Sequence, residues 1–101
     1  DLDPAVMSGN VIAVTVLNGP HFEYRSRDLS PVDQLNQNRQ FPGDPKGTLS
    51  KRTAHVVSKE VISKCDAMAD LHAGDIGEDA DAWVIAGKGG GDENEKMEKY
   101  I

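Results

Sequence analysis

Cysteine occurs once, as Cys65, so no internal disulfide can form, and a lone thiol suits a reducing compartment better than a secreted scaffold. The expected location is the cytoplasm. Basic residues are also scarce. Eleven Lys and Arg against seventeen Asp and Glu leave a net charge of −6, which argues against a surface that tracks nucleic-acid phosphates or grips anionic lipid. Long hydrophobic runs are missing too: the longest, residues 11–17, is interrupted by Thr15 and falls far short of the roughly 20 apolar residues of a membrane helix. The chain opens on Asp1-Leu2-Asp3-Pro4, without a basic or apolar leader, so no secretory signal is read and the start resembles a cut. The glycine run at residues 87–91 lacks the spacing of a phosphate-cradling loop, and no serine sits in a nucleophile-elbow context.

What is present fits one segment of a globular domain spanning residues 1–101, with 38% hydrophobic residues. Residues 11–17, rich in β-branched side chains, read as a strand buried on both faces. Residues 18–47 hold four of the five prolines (Pro20, Pro31, Pro42 and Pro45) and read as a long irregular loop, of the length that usually forms a site. Thr48 stands as the cap of a helix whose Ala54, Val57, Val61, Ile62 and Cys65 share one face. Lys51 occupies the third helical position, where a capping-box Glu would be favoured. Residues 66–72 and 82–86 read as two further strands, and residues 92–101 as a second helix. The expected fold class is therefore α/β, a partial and mainly parallel sheet of about three strands with two helices. Such a sheet would leave one face bare, which implies either a homo-oligomer or missing flanking sequence.

Two groups of residues could carry chemistry. Asp70 and His72, two apart near the end of an expected strand, share a face where open α/β sheets gather ligands. A single imidazole does not make the four-coordinate sphere of zinc, so a structural role for His72 is the plainer reading of these residues alone. Arg25, Arg27, Asn38 and Arg39 crowd into the proline-stiffened loop, and guanidinium beside amide suits bidentate capture of a carboxylate. Solvated surface charge is the plainer alternative.

Larger patterns narrow these readings. Residues 8–18, followed by Pro20 and Phe22, look like a strand running into an N-P-x-A-F turn, with Gly19 where Pro is usual. Leu35-Asn36-Gln37-Asn38-Arg39-Gln40-Phe41-Pro42-Gly43 is similar to a D-L-N-R-x-F-P-G signature, with Gln37 in place of its Leu, and Asp70-Leu71-His72 to a D-L-H motif. In these features the chain resembles an internal piece of the succinylglutamate desuccinylase/aspartoacylase family, relatives of the zinc carboxypeptidases. The resemblance implies a zinc ion that activates water against an amide carbonyl. By the same resemblance His72 matches a zinc ligand, Asn38 and Arg39 the pair that holds the substrate carboxylate, and Arg27 the arginine that polarises the carbonyl. The G-x-H-G-x-E motif that supplies the family's other ligands has no counterpart in these 101 residues, and its general-base Glu is expected beyond Ile101.

The resulting expectation is a segment of a zinc-dependent hydrolase of N-acyl amino acids or C-terminal amides, inactive as this piece. Its partner would be a small carboxylate-bearing substrate, and neither nucleic acid nor membrane. The alternative is a non-catalytic module that binds carboxylates or self-associates.

Overall fold

The computed structural model describes residues 3–72, which fall in two compact units, Asp1–Ala69 and Asp70–Ile101, the second represented here by residues 70–72 alone. In the first unit the order is a short helix α1 (Gly19–Tyr24), a 3-10 turn (Gln37–Arg39), the longer helix α2 (Leu49–Glu60) and a second 3-10 turn (Ile62–Lys64).

Helix α1 lies inside the stretch expected to be irregular. Asn18 begins it by accepting a hydrogen bond from the His21 N–H at 3.2 Å, and Pro20 sits in the first turn, where its missing donor costs nothing. Arg25 ends it with a left-handed backbone, φ 51°, and the Ser26 N–H closes back on the His21 carbonyl at 3.0 Å. Helix α2 forms where the three- and four-residue spacing of apolar side chains predicts it. The Thr48 side chain makes no capping hydrogen bond to the helix, contrary to expectation. The carboxylate of Asp33 takes that role from outside the helix.

Gly43 is fixed by close approach. Its φ is +91°, and a Cβ there would collide with the backbone of Lys51, Ala54 and His55. This lets the Asp44 N–H reach the Lys51 carbonyl at 3.1 Å, laying the chain after Pro42 directly on α2.

The expected sheet is not there. Among the described residues no strand forms, which overturns the α/β assignment. Residues 11–17 are irregular, and Val11, Ile12, Val14 and Val16 each remain about half exposed. A strand is held by ladder hydrogen bonds to a neighbour, so β-branched composition favours an extended chain without supplying the partner that makes it a sheet. Residues 66–72, the nearest expected partner, are irregular as well. The third expected strand, 82–86, and the second expected helix, 92–101, lie outside the described residues.

The interior is correspondingly unusual. Ala54 is the one buried hydrophobic residue among those described, and Ser30, Gln37 and Ser50 are the buried polar ones. Buried polar groups are tolerated only when paired, and these three are.

Candidate functional site

The pairing starts at Asp33. One carboxylate oxygen accepts from the Ser50 N–H and the other from the Ser50 hydroxyl, both at 2.8 Å. Ser50 is the second residue of α2, so its N–H is one of the donors that a helix leaves unpaired at its start, and the negative charge sits at the positive end of the helix dipole. Burial works to raise the Asp33 carboxyl, but hydrogen bonds from the Ser50 backbone and from the hydroxyls of Thr48, Ser50 and Ser30 outweigh it and hold the group well below the usual carboxylate range. The loop that carries Asp33 is closed by Ser30, whose N–H donates to the Leu35 carbonyl at 2.9 Å and whose own carbonyl accepts from the Gln34 N–H at 2.8 Å.

From Ser50 the network runs on to Gln37. The amide Nε2 of Gln37 donates to the Ser50 carbonyl at 2.9 Å, and its Oε1 accepts from Asn18 Nδ2 at 3.1 Å. Asn18, Gln37, Ser50 and Asp33 thus link the start of α1, the first 3-10 turn, the start of α2 and the 30–35 loop. The sequence reading missed Asp33, Ser30, Ser50 and the structural part of Gln37. The signal open to it was a polar residue at a position where the resembling signature has Leu.

Asn38 and Arg39 ride on the turn that this network anchors. Both are exposed. The Asn38 N–H is held by the side chain of Asn36 at 2.9 Å, and Arg39 donates from its guanidinium to the Asn38 carbonyl at 3.2 Å. Asn38 and Arg39 are therefore presented together. Arg27 stands beyond the end of α1 and forms an ion pair with the neighbouring Asp28 at 3.0 Å. Arg25 is the left-handed cap of α1. His72 belongs to the second unit, where its Nε2 lies 3.1 Å from an Asp70 carboxylate oxygen. The acid and imidazole share a contact as their spacing suggests, although no strand carries them. Among the described residues no three His, Cys, Asp or Glu side chains come together as metal ligands, so these residues alone do not fit a zinc site.

A concavity lies along α2. A groove of about 420 Å³ is lined by Val14, Leu17, Leu49, Val56, Val57 and Val61, with Thr53 and with Arg52 as its charged member. It includes none of Arg27, Asn38 and Arg39, and its apolar walls offer little to a carboxylate.

Comparison with known proteins gives one informative result. Over 68 residues the chain is 37% identical to the N-alpha-acetyl-L-2,4-diaminobutyric acid deacetylase of Halomonas elongata, a match that takes in 67% of this chain and 20% of that protein. The chain thus spans about a fifth of the length of the curated relative it matches. No family model and no solved structure matches it.

Proposed function

We propose that these residues are a segment of a deacylase-type hydrolase acting on N-acyl amino acids, and that their own contribution is to hold the substrate. The observation that carries this reading is the exposed Asn38–Arg39 pair on an anchored turn. Likeness to a deacetylase of an N-acetyl amino acid supports it, since such a substrate offers one carboxylate and one amide carbonyl. Arg39 would grip the carboxylate through two parallel N–H donors, with the Asn38 amide as a third. Arg27 would leave Asp28 to meet negative charge on the carbonyl oxygen as the carbon becomes tetrahedral. Asp70 would fix the ring of His72 for a role as one zinc ligand, as acids behind metal-bound histidines do.

Zinc dependence is part of the proposal: the ion would supply activated water. One imidazole cannot assemble that centre, so the 101 residues by themselves are expected to bind and orient substrate without turning it over.

The test is an assay of the purified chain with N-acetyl-L-2,4-diaminobutyrate, with and without zinc, alongside a binding titration followed by nuclear magnetic resonance. Binding that depends on Arg39, without acetate release, supports the reading. Robust turnover would sink the claim of inactivity, and absent binding would sink the substrate-holding role. The non-catalytic alternative shares the carboxylate contact. A reading frame that carries a G-x-H-G-x-E motif upstream and a Glu downstream favours the hydrolase, and a start codon beside Asp1 favours the module.

A further inference from the structure

Gln37 is 8% exposed, and both ends of its amide are used. The neighbouring hydrogen bonds fix the shape of the turn but not its direction. The Arg39 N–H to the Asn36 carbonyl, the Gln40 N–H to the Gln37 carbonyl and the Asn38 N–H to the Asn36 side chain all stay within residues 36–40. Among the described residues, the hydrogen bonds that tie this turn to distant parts of the chain are the two made by Gln37, to Ser50 and from Asn18. Ser50 is in turn clamped by Asp33, so the anchor is itself fixed.

We infer that Gln37 is a positioning residue: by joining the first turn of α2 to the cap of α1, it sets the direction in which Asn38 and Arg39 face a substrate carboxylate. The inference rests on the reading of Asn38 and Arg39 as a carboxylate-binding pair. Direction matters here because a guanidinium fork binds a carboxylate through two parallel donors, and a small rotation of the turn breaks one of them. Where the resembling signature has an apolar residue this chain has an amide, so here the turn is held by two directional hydrogen bonds and not by packing alone.

The test uses the full 101-residue chain and N-acetyl-L-2,4-diaminobutyrate as probe, with affinity read from the Arg39 side-chain signal in nuclear magnetic resonance. Gln37→Met keeps the volume and removes both hydrogen bonds; it should weaken binding roughly tenfold while the helical circular dichroism is retained. Gln37→Glu keeps the acceptor for Asn18 but, when ionised, sets a carboxylate against the Ser50 carbonyl. It should bind roughly tenfold more weakly at neutral pH and recover as the introduced carboxyl protonates and regains a donor, above the titration of the probe itself. Neither wild type nor Gln37→Met should show that recovery. Arg39→Ala is the control for the underlying reading. If binding needs Arg39 but both Gln37 variants bind like wild type, the positioning role is overturned and the carboxylate reading stands. If wild type shows no Arg39-dependent binding, both fall. Should Gln37→Met fail to fold, the pH profile of Gln37→Glu decides alone: recovery supports the role and a flat profile overturns it.

Discussion

Asp33 takes both hydrogen bonds that Ser50 can donate, one from the backbone and one from the hydroxyl, across 17 positions of sequence. A loop residue thereby does for α2 what its own preceding residue, Thr48, does not. Among the described residues Ala54 is the buried hydrophobic one, and Ser50, which Asp33 holds, is one of three buried polar residues.

The first prediction concerns acid. The Asp33 carboxyl is held well below its ordinary value in the folded chain, so the folded state binds that proton more weakly than the unfolded state does. Stability from this group is therefore complete above the unfolded value of roughly 3.9 and is lost as pH falls below it toward the folded value. Urea titrations followed by circular dichroism at successive pH values should show the decline. Asp33→Asn should lose about 1–2 kcal/mol at neutral pH and show a shallower decline. Glu60 is also lowered, by its hydrogen bond to Lys64, and the comparison with Asp33→Asn removes its contribution from the reading.

The way Asp33 was missed marks the limit of what sequence patterns carry. The α2 stripe was legible because helical spacing is local and repeats every three or four residues. Asn38 and Arg39 stood out because they lie side by side in a quotable motif. Asp33 and Gln37 act through contacts 17 and 13 positions away, which no local period encodes. Residues 11–17 misled for a related reason. Val11, Ile12 and Val14 state a preference for extended backbone, but strand formation depends on a partner, and the pattern of one segment says nothing about whether another will pair with it.

The coupling between Asp33 and Ser50 can be measured directly. Ser50 is 1% exposed, and Ser50→Ala removes the hydroxyl bond while keeping the backbone one. It should cost about 1 kcal/mol. Combined with Asp33→Ala, which removes the acceptor, the loss should fall short of the sum of the two single losses, because both substitutions remove the same hydroxyl contact. Simple additivity in a double-mutant cycle by urea unfolding would show that the hydroxyl bond contributes nothing.

Gly43→Ala tests the close approach to α2. The new Cβ would meet backbone rather than the tip of a movable side chain, 2.7 Å from the Ala54 carbonyl carbon, at a φ of +91° that side-chain-bearing residues rarely adopt. Rotamer changes cannot relieve that contact. The expected cost is about 2 kcal/mol or more, visible as a lowered urea midpoint. Gly9→Ala is the control, since its φ of +109° is equally strained but nothing lies within 4 Å. A loss at position 43 no greater than at position 9 would mean the segment lifts off the helix at little cost.

The two arginines should differ in kind. Arg39 would meet a carboxylate that is charged before, during and after reaction, so Arg39→Ala should weaken binding of N-acetyl-L-2,4-diaminobutyrate to the isolated chain by roughly ten- to a hundredfold, as expected for a lost charged hydrogen-bond pair. Arg27 would meet charge that develops only as the carbonyl becomes tetrahedral. Arg27→Ala should therefore leave ground-state binding nearly unchanged, and under the proposed function, in a hydrolase that carries this segment, should lower kcat by an amount corresponding to about 3–4 kcal/mol while KM moves little. Releasing Asp28 from its 3.0 Å ion pair is a small perturbation by comparison, because Asp28 is largely exposed and such pairs contribute little in water. Titration of the isolated variants is the first measurement. Equal weakening by both would place both arginines on ground-state charge, and an effect from Arg27→Ala alone would mean the carboxylate and carbonyl roles are assigned to the wrong residues.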